Sequence, residues 1–356
     1  MNTTLIKIRL LIACIITTIL FSITACTPAP DKKVHNILWP LPPDDPKIKF
    51  IETFGSSKDF EEEDNLLQAI ISGEKTEFEL TKPYGVTVDN EGRIYVTDIG
   101  RIFIFDRKAK KTDFIGAEID SVSLKTPIGI AISREGKIYV TDTAYDKIFV
   151  FSLAGELLTA LGAKGEFENP GGLAIDEKRR RLYVVDTRQH NVRAYSTIDL
   201  GLLMTIGERG SNNGNFNFPT NIALDGEGNI YVVDTNNFRV QIFNPDGKHI
   251  KTIGRIGDAP GSFARPKGIA IDSEGHIYVV DAAFQNFQIF DKNGQLLLFV
   301  GEAGYGNGQF FLPAGIFIDS EDRIYVVDQL NKRVQVFEYL GEKWKKRHAS
   351  QPQASN

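Results

Sequence analysis

The sequence is poor in cysteine, since only Cys14 and Cys26 occur among its 356 residues. Cys14 lies in an N-terminal segment that we expect to be removed on export, so the mature chain would retain no cysteine pair. We therefore predict a fold without disulfide bonds, although the expected destination is an oxidising compartment.

The chain also lacks a surplus of basic residues and the periodicity of long helices. Its net charge of −5 gives no basic surface of the kind that neutralises phosphates, so we expect no nucleic-acid partner. An apolar content of 42% is enough for a substantial core. With 32 glycines, 15 prolines and 10% aromatic residues, the composition favours many short strands joined by tight turns.

The N-terminus carries the pattern of an export signal. Lys7 and Arg9 precede an apolar run over residues 10–23, which is short for a membrane span. The run ends in Ile-Thr-Ala-Cys at Cys26, which resembles the bacterial lipobox and implies cleavage after residue 25 with lipid on Cys26. Thr27 follows, and by resemblance to the Gram-negative sorting pattern this indicates the outer membrane. An ordinary cleaved signal with an incidental cysteine is the alternative.

The sequence divides into four predicted segments. We predict a signal peptide over 1–25, a proline-rich tether over 26–46, a repeat domain over 47–340 and a basic and polar tail over 341–356. The tether is expected to be extended, because proline-rich chains are semi-rigid spacers. The tail is expected to be frayed and solvated, with contact to anionic lipid as the alternative.

The sequence contains six copies of one repeat unit. Its clearest element is an apolar strand of the form Ile-Tyr-Val-x-Asp, repeated every 44 to 48 residues, and its copies end at Asp98, Asp142, Asp186, Asp234, Asp281 and Asp328. A period in the forties that contains several strands is typical of a propeller blade, whereas helical repeats would show a 3.6-residue periodicity.

Each unit predicts four strands. The first begins with a small residue, as at Gly85, which suits a crowded axis where six strands converge. The second is the aspartate strand, and the third is typified by residues 240–243. Both are nearly continuous apolar runs, which indicates blades covered on both faces by their neighbours. The fourth, outer strand ends in an apolar residue followed by glycine, as at Ile253 and Gly254.

Five outer strands follow the inner ones, so the sixth must come from elsewhere. Residues 47–54 have the form of an outer strand and precede Gly55. We predict that they complete the last blade, so that the two ends of the chain close the ring and leave no unpaired strand edge. Residues 342–348 are the alternative, because they could supply this strand locally.

Residues 83–337 resemble the NHL repeat, through the successive patterns Pro-x-Gly-Ile-Ala-x-Asp, Gly-x-Ile-Tyr-Val-x-Asp and Asn-x-x-Val-Gln-x-Phe. The resemblance implies an all-β, six-bladed β-propeller of four-stranded antiparallel blades. Two departures occur. The segment from Asp98 to Phe105 is two residues shorter than its counterparts, and Lys178-Arg179-Arg180 stands where other copies have a glycine turn.

In such blades, the loops between strands two and three and the loops between blades lie on one face, which is the default binding surface. Positions there that differ between blades mix basic, aromatic and amide side chains, as a peptide or glycan surface would. The candidates are Arg101, Tyr145, Lys147, Arg188, His190, Asn191, Phe238, Arg239, Phe284, Asn286, Lys332 and Arg333. A solvated face with repeat-consensus arginines is the alternative.

Two sets of residues occur in every copy and are interpreted as architectural. The six aspartates are expected to cap turns by accepting backbone hydrogen bonds rather than to hold a metal. An apolar residue three positions before a proline is expected to pack in the core rather than to stack on a ligand. These residues are Leu80, Leu124, Phe167, Phe216, Phe263 and Phe310.

An insertion over residues 55–82 interrupts the repeat. Asp59 is expected to cap a helix with an acidic first turn, and the helix ends at Gly73. Its apolar stripe consists of Leu66, Leu67, Ile70 and Ile71. The helix would act as a lid or a partner contact, and covering a blade edge is the alternative.

Some propellers of similar make are metal-dependent lyases or lactonases with several ligands around the channel mouth. This sequence offers His35, His190, His249, His276 and His348, and only His190 is expected on the channel face. We therefore expect no three-histidine centre, no Ser-His-Asp triad, no catalytic residues and no cofactor. A calcium ion held by carboxylates and carbonyls is compatible with the sequence.

The sequence favours a monomeric, lipid-anchored binding or scaffold module of the cell envelope, with a protein, peptide or glycan as partner. A metal-dependent lyase, lactonase or other hydrolase acting at the channel mouth is the alternative. RNA binding, which the NHL resemblance also implies, is disfavoured by export and by the negative charge.

Overall fold

Six antiparallel sheets contain nearly all of the strands, as the sixfold sequence repeat predicts. The structure is a computed structural model, and it describes residues 37–60, 77–117 and 123–349. The predicted signal peptide with Cys26, His35 and most of the predicted insertion helix lie outside the described residues.

Two strands precede the blades along the chain, β1 (Leu38–Trp39) and β2 (Ile48–Phe54). The strands of each blade are given from the axis outward. Blade 1 comprises β3 (Val86–Val88), β4 (Ile94–Asp98), β5 (Arg101–Asp106) and β6 (Lys111–Ile115). Blade 2 comprises β7 (Pro127–Ile132), β8 (Lys137–Asp142), β9 (Lys147–Ser152) and β10 (Leu157–Leu161), and blade 3 comprises β11 (Pro170–Asp176), β12 (Arg181–Asp186), β13 (Asn191–Ser196) and β14 (Leu202–Ile206).

Blades 4 and 5 comprise β15 (Pro219–Leu224), β16 (Ile230–Asp234), β17 (Arg239–Phe243) and β18 (His249–Ile253); β19 (Pro266–Ile271), β20 (Ile277–Asp281), β21 (Asn286–Phe290) and β22 (Leu296–Val300). A small parallel pair follows, β23 (Glu302–Ala303) and β24 (Gln309–Phe310). Blade 6 takes β25 (Pro313–Ile318), β26 (Arg323–Asp328) and β27 (Arg333–Tyr339), and a helix, α1 (Glu342–His348), follows it. Short 3-10 turns occupy Ser57–Asp59 and Thr235–Asn237.

The ring is closed by the N-terminal strand. β2 pairs antiparallel with β27, and Phe50 lies opposite Phe337. The inner strands contact one another in succession, and β25 contacts β3. The prediction of a six-bladed propeller closed from the N-terminus is confirmed, whereas residues 342–348 form a helix and supply no strand.

The last part of the predicted tether belongs to the folded ring. β1 pairs with β2 and adds a fifth strand to blade 6. The Trp39 ring packs edge-on against Phe337, with centroids 5.7 Å apart. The folded ring therefore includes about ten residues before the predicted boundary at residue 47, because a half-buried tryptophan holds this segment on the blade.

Apolar clusters fill the spaces between blades. Phe103 of blade 1 and Val334 of blade 6 share one cluster, and Phe287 of blade 5 and Phe337 of blade 6 share another. Four further clusters lie between the remaining neighbours. This explains why the second and third strands carry apolar residues on both of their faces.

Glycine at the start of the inner strands lets the blades approach closely. A Cβ built on Gly315 would lie 2.3 Å from the carbonyl oxygen of Tyr84 in blade 1, and one built on Gly268 would lie 2.4 Å from that of Ala314. Such distances leave no room for a side chain, so the small residues predicted here are required by packing around the axis.

Both departures from the repeat are accommodated as turns. The short segment of blade 1 joins β4 to β5 through Ile99 and Gly100, with Gly100 at φ +76°. In blade 3, Arg180 adopts φ +53° and Asp176 accepts a hydrogen bond from the backbone of Arg179. A basic residue thus takes the left-handed conformation for which blades 1, 2, 4 and 5 use glycine and blade 6 uses Asp322.

The insertion and the tail differ from their expected local structure. The carboxylate of Asp59 accepts hydrogen bonds from the backbone N–H groups of Gly55 and Ser56, so Asp59 closes a capping box rather than occupying the N-cap. In the tail, the backbone N–H of Glu342 donates to Glu274 over 2.8 Å, and Arg347 donates to Glu338. The described part of the tail is therefore a helix bound to blades 5 and 6.

Candidate functional site

The two ends of the propeller differ in their connections. One end, which we call the loop face, carries the loops between strands two and three and the loops between blades. The other, which we call the turn face, carries the turns between strands one and two and between strands three and four, together with the β1–β2 connection. All twelve candidate residues lie on or near the loop face.

The repeated aspartates lie beneath the loop face and bind backbone. Asp98 accepts hydrogen bonds from the N–H groups of Thr81 and Lys82, and Asp281 accepts them from Ala264 and Arg265. All six are buried, and each accepts a backbone N–H bond from the loop that precedes its blade. Their charge therefore fixes the interblade loops to the second strands.

The repeated apolar residues of the interblade loops are buried in the core. Phe216, Phe263 and Phe310 have no exposed surface, and the other members of the set are almost as deeply buried: Leu80, Leu124 and Phe167. This geometry agrees with the interpretation of the set as architectural, because these six side chains have almost no surface left for a ligand.

Two candidate arginines hold loops in place. Arg239 donates to Asp234 from Nε and to the carbonyl oxygens of Asn212 and Asn215 from its terminal nitrogen. Arg333 makes the equivalent bonds to Asp328 and to the carbonyls of residues 305, 306 and 309. Their guanidinium groups are occupied by the fold itself.

Four further candidates are largely engaged by neighbours. His190 is buried, its Nδ1 accepts the N–H of Phe218 over 3.0 Å, and burial lowers the pKa of its imidazole. Asn191 is buried, and Phe238 packs against the blade 4–5 core with a left-handed backbone. The guanidinium of Arg101 lies over the Phe114 ring, 5.3 Å from its centroid.

The remaining candidates are accessible. Lys147, Arg188 and Lys332 are exposed, and Tyr145 is 37% exposed beneath the ammonium group of Lys125. Phe284 and Asn286 line a cavity of about 220 Å³ beside the interblade loop at residues 258–260. These six residues, rather than all twelve, present chemistry to a partner.

The sequence argument did not identify the exposed apolar side chains of the loop face. Eight large hydrophobic residues are exposed in its loops: Phe78, Ile99, Tyr145, Phe218, Ile256, Tyr305, Phe311 and Leu330. In the turns and connections of the turn face, the described residues expose two, Leu41 and Ile198. Seven more are exposed on the outer strands, at the sides of the blades: Ile51, Leu158, Leu202, Leu203, Ile250, Leu297 and Phe299. The signal was present in the sequence as apolar residues in loops, where solubility alone would favour polar ones.

A larger cavity of about 720 Å³ lies along the propeller axis, and it was also not predicted. Its lining runs from the strand starts near Gly85 and Gly315 to the turns at Glu91, Arg134 and Glu321. One aliphatic residue of each inner strand lines it near the turn-face end, namely Val88, Ile132, Ile175, Leu224, Ile271 and Ile318. The cavity, which we call the axial funnel, therefore has a mixed aliphatic and polar lining, and charged residues form its rim on the turn face.

The described histidines do not converge. His190 lies under the loop face, Nε2 of His249 is 2.9 Å from the Thr252 hydroxyl, and Nδ1 of His276 is 2.8 Å from Asp272. In α1, Nδ1 of His348 is 2.9 Å from the carbonyl oxygen of Trp344. Among the described residues, no three His, Asp or Glu side chains form a group that could hold a metal ion. Each imidazole is thus bound separately within its own part of the ring.

Some predicted features cannot be placed on the ring. Lipidation at Cys26 and the apolar stripe of the insertion helix lie outside the described residues. Within the described chain, no helix combines the length and apolarity needed to cross a bilayer.

One characterised relative shares part of the sequence. NHL repeat-containing protein 3 of Mus musculus is 30% identical over 107 residues, which represent 27% of this chain and 30% of the relative. The chain thus spans less than a third of that relative's length. The similarity supports the predicted resemblance to NHL repeats.

Two solved structures share the fold at low identity. Virginiamycin B lyase from Staphylococcus aureus is 16% identical, covers 72% of this chain and 95% of its own, and has a TM-score of 0.53. A gluconolactonase from Xanthomonas campestris is 14% identical, covers 73% and 86%, and has a TM-score of 0.57. At these identities the likeness concerns the fold alone.

A family described as 6-bladed beta-propeller matches the chain over residues 119–207, 216–288 and 273–348. These segments cover more than half of the sequence and include the strands of blades 2 to 5, the strands β25 to β27 of blade 6, and α1. The protein belongs to this 6-bladed beta-propeller family.

Proposed function

We propose that the protein is a non-enzymatic, lipid-anchored binding module of the cell envelope, and that its loop face takes a protein, peptide or glycan partner. The observation that carries the proposal is the concentration of exposed apolar side chains on that face, beside the cations of Lys147, Arg188 and Lys332. Aromatic residues and arginine are enriched at protein interfaces, and a polypeptide is the partner that this mixture fits best.

Rigidity of the loops supports this proposal. The buried aspartates and the arginines of blades 4 and 6 fix the interblade loops to the strands, so the exposed side chains are held in place before a partner arrives. Pre-organisation of this kind lowers the entropic cost of association. The ring acts as a monomer in this proposal, because one copy already closes all six blades.

Anchoring is the second part of the proposal. The lipobox-like segment ending at Cys26 would place a lipid at the start of the mature chain, and the outer membrane is the proposed location. Metabolic labelling with a radioactive fatty acid tests this directly. Label must appear in the wild type and disappear in Cys26→Ser, and label retained by the variant would contradict lipidation at this residue.

Site-specific photocrosslinking in cells tests the partner surface. A crosslinker at position 99 or 330 should capture a defined envelope protein, whereas one at position 198 on the turn face is the matched control. Ile99→Asp and Leu330→Asp should reduce capture at least tenfold, while Ile198→Asp should leave it unchanged. Equal capture from both faces, or none from positions 99 and 330, would contradict the proposal.

A metal-dependent lyase, lactonase or other hydrolase is the second candidate, because the axial funnel has the size and the charged rim of a small-molecule site. The separation of the described histidines favours binding over catalysis. Metal analysis of the purified protein with a lactone and ester substrate screen distinguishes the two. Stoichiometric metal together with turnover would establish the enzyme.

A further inference from the structure

Blades 4, 5 and 6 provide an internal comparison, because the loops before them have equal length, at residues 207–216, 254–263 and 301–310. Their third strands begin at Arg239, Asn286 and Arg333, each opposite the aspartate that ends the second strand. The residue before each has φ +55°, so the chain enters the third strand through the same left-handed conformation in all three blades.

In blades 4 and 6, the arginine fills the space between the third strand and the interblade loop. Its terminal nitrogens donate to loop carbonyls, which belong to Asn212 and Asn215 in blade 4 and include those of Gly306 and Gln309 in blade 6. In each blade, an asparagine of the loop between strands two and three donates a further hydrogen bond to the same aspartate. These bonds run from Asn237 to Asp234 and from Asn331 to Asp328.

Blade 5 has the same loop without the arginine. Ala259 takes the position of Asn212 and Gly306, and its carbonyl closes the same turn by accepting the N–H of Ser262 over 2.9 Å. The Asn286 side chain is too short to reach the Ala259 carbonyl, and Phe284 stands at the position of Asn237 and Asn331. The space that remains is the cavity of about 220 Å³, and Oδ1 of Asn286 is buried without a hydrogen-bond partner among the described residues.

The lining of this cavity suits a planar cation. Asp258 supplies an exposed carboxylate and the Ala259 loop supplies carbonyl oxygens. Phe284 and Phe299 supply aromatic surface, and Phe299 is 53% exposed. A guanidinium donates several hydrogen bonds in one plane and stacks on aromatic rings, which a compact ammonium group does less well.

We propose that this cavity binds the guanidinium of an arginine side chain supplied by a polypeptide partner, in the place that Arg239 and Arg333 occupy in their own blades. The proposal rests on the loop face being the partner surface and identifies one residue that the partner contributes. The partner's arginine would repeat in trans the contacts that these two arginines make with loop carbonyls in cis.

An NMR titration of the full-length protein in detergent with a capped arginine, Nα-acetyl-arginine methylamide, tests the cavity without a partner. Amide resonances of residues 258–262 and 284–286 should shift, and the neutral isostere with citrulline should bind at least tenfold more weakly, because it lacks the charge. Equal binding of citrulline, or no shift with arginine, would overturn the proposal. Tighter binding of free L-arginine than of the capped compound would assign the cavity to the amino acid instead.

Two variants locate the response. Asn286→Arg should fill the cavity from within and abolish the titration, while its melting temperature stays equal or rises. Asp258→Asn, at an exposed position, should weaken binding severalfold. Lys248→Gln on the turn face is the matched control and should leave the titration unchanged. Retained binding of the capped arginine by Asn286→Arg would refute the site. If the titration gives the expected result but crosslinking on the loop face fails, the loop face is not the partner surface, although the cavity binds a guanidinium.

Discussion

Arg239 donates from Nε to Oδ2 of Asp234 over 2.8 Å, and the aspartate side chain is 0% exposed while that of the arginine is 11% exposed. The carboxylate also accepts from the backbone N–H of Asn217 and from the amide of Gln241. One buried charge thus ties together the second strand, the third strand and the interblade loop of blade 4.

Asp234→Ala should lower the free energy of unfolding by about 3–5 kcal/mol, because it leaves the Arg239 guanidinium buried without its counterion. Denaturant unfolding followed by circular dichroism measures the change. Asp113→Ala is the control, since Asp113 pairs with Lys111 on the surface and should cost no more than about 1 kcal/mol. Similar losses in both variants would show that burial of the pair is unimportant.

Gly315→Ala should destabilise the ring by about 1–3 kcal/mol, because the added methyl group would press on the Tyr84 carbonyl and push blades 6 and 1 apart. Gly226→Ala is the matched control, since a Cβ at Gly226 meets nothing within 4 Å. Comparison of the two denaturation midpoints checks the prediction. An unchanged midpoint for Gly315→Ala would mean that the inner strands do not touch here.

Phe50→Ala should cost about 3–5 kcal/mol, because Phe50 is 7% exposed and its ring packs edge-on against Phe337 across the closing pair of strands. Ile51→Ala, at the adjacent position of the same strand, is the control, since Ile51 is 40% exposed. Its effect should stay within about 1 kcal/mol. Proteolysis near residue 50 should accelerate in the first variant and not in the second.

Two histidines should give opposite pH dependences of stability. The hydrogen bond to Asp272 raises the pKa of His276 above 6.5, so its stabilisation is full below pH 6.5 and is lost as the pH rises through its folded-state pKa. Burial lowers the pKa of His190 below 6.5, so its contribution is full above pH 6.5 and is lost as the pH falls through its folded-state pKa.

Unfolding free energies of the wild type, His276→Gln and His190→Gln, measured on both sides of pH 6.5, check these signs. The advantage of the wild type over His276→Gln should shrink on the alkaline side, and its advantage over His190→Gln should shrink on the acid side. A parallel offset of the curves at every pH would mean that neither imidazole titrates differently in the folded state.

Much of the fold could be predicted because each blade repeats the same physical requirement. The Ile-Tyr-Val-x-Asp strands must be apolar on both faces, and their aspartates must accept the N–H groups of a loop that has no strand partner. The closing role of residues 47–54 followed from a deficit of one outer strand. Trp39 was assigned to the tether because the prolines around it dominated the local pattern, whereas edge-on packing of its half-buried ring against Phe337 determines its place.

The site was less predictable, because sequence alone does not show which polar groups the fold already uses. Arg239 and Arg333 appeared as available cations, yet both are bound to loop carbonyls. Asn286 appeared as one more variable residue, and its meaning emerges from comparison with the arginines at the same register. The axial funnel depends on how six inner strands are spaced, which no single strand reveals.

The pairing of β2 with β27 also determines when the protein can become complete. Thr53 donates from its hydroxyl to the carbonyl of Val334, a contact between residues 281 positions apart. β2, which is synthesised before any blade, therefore waits without its sheet until almost the whole polypeptide has been made. Throughout that interval blade 6 lacks its outer strand. A chain terminated anywhere before residue 333 therefore cannot close the ring.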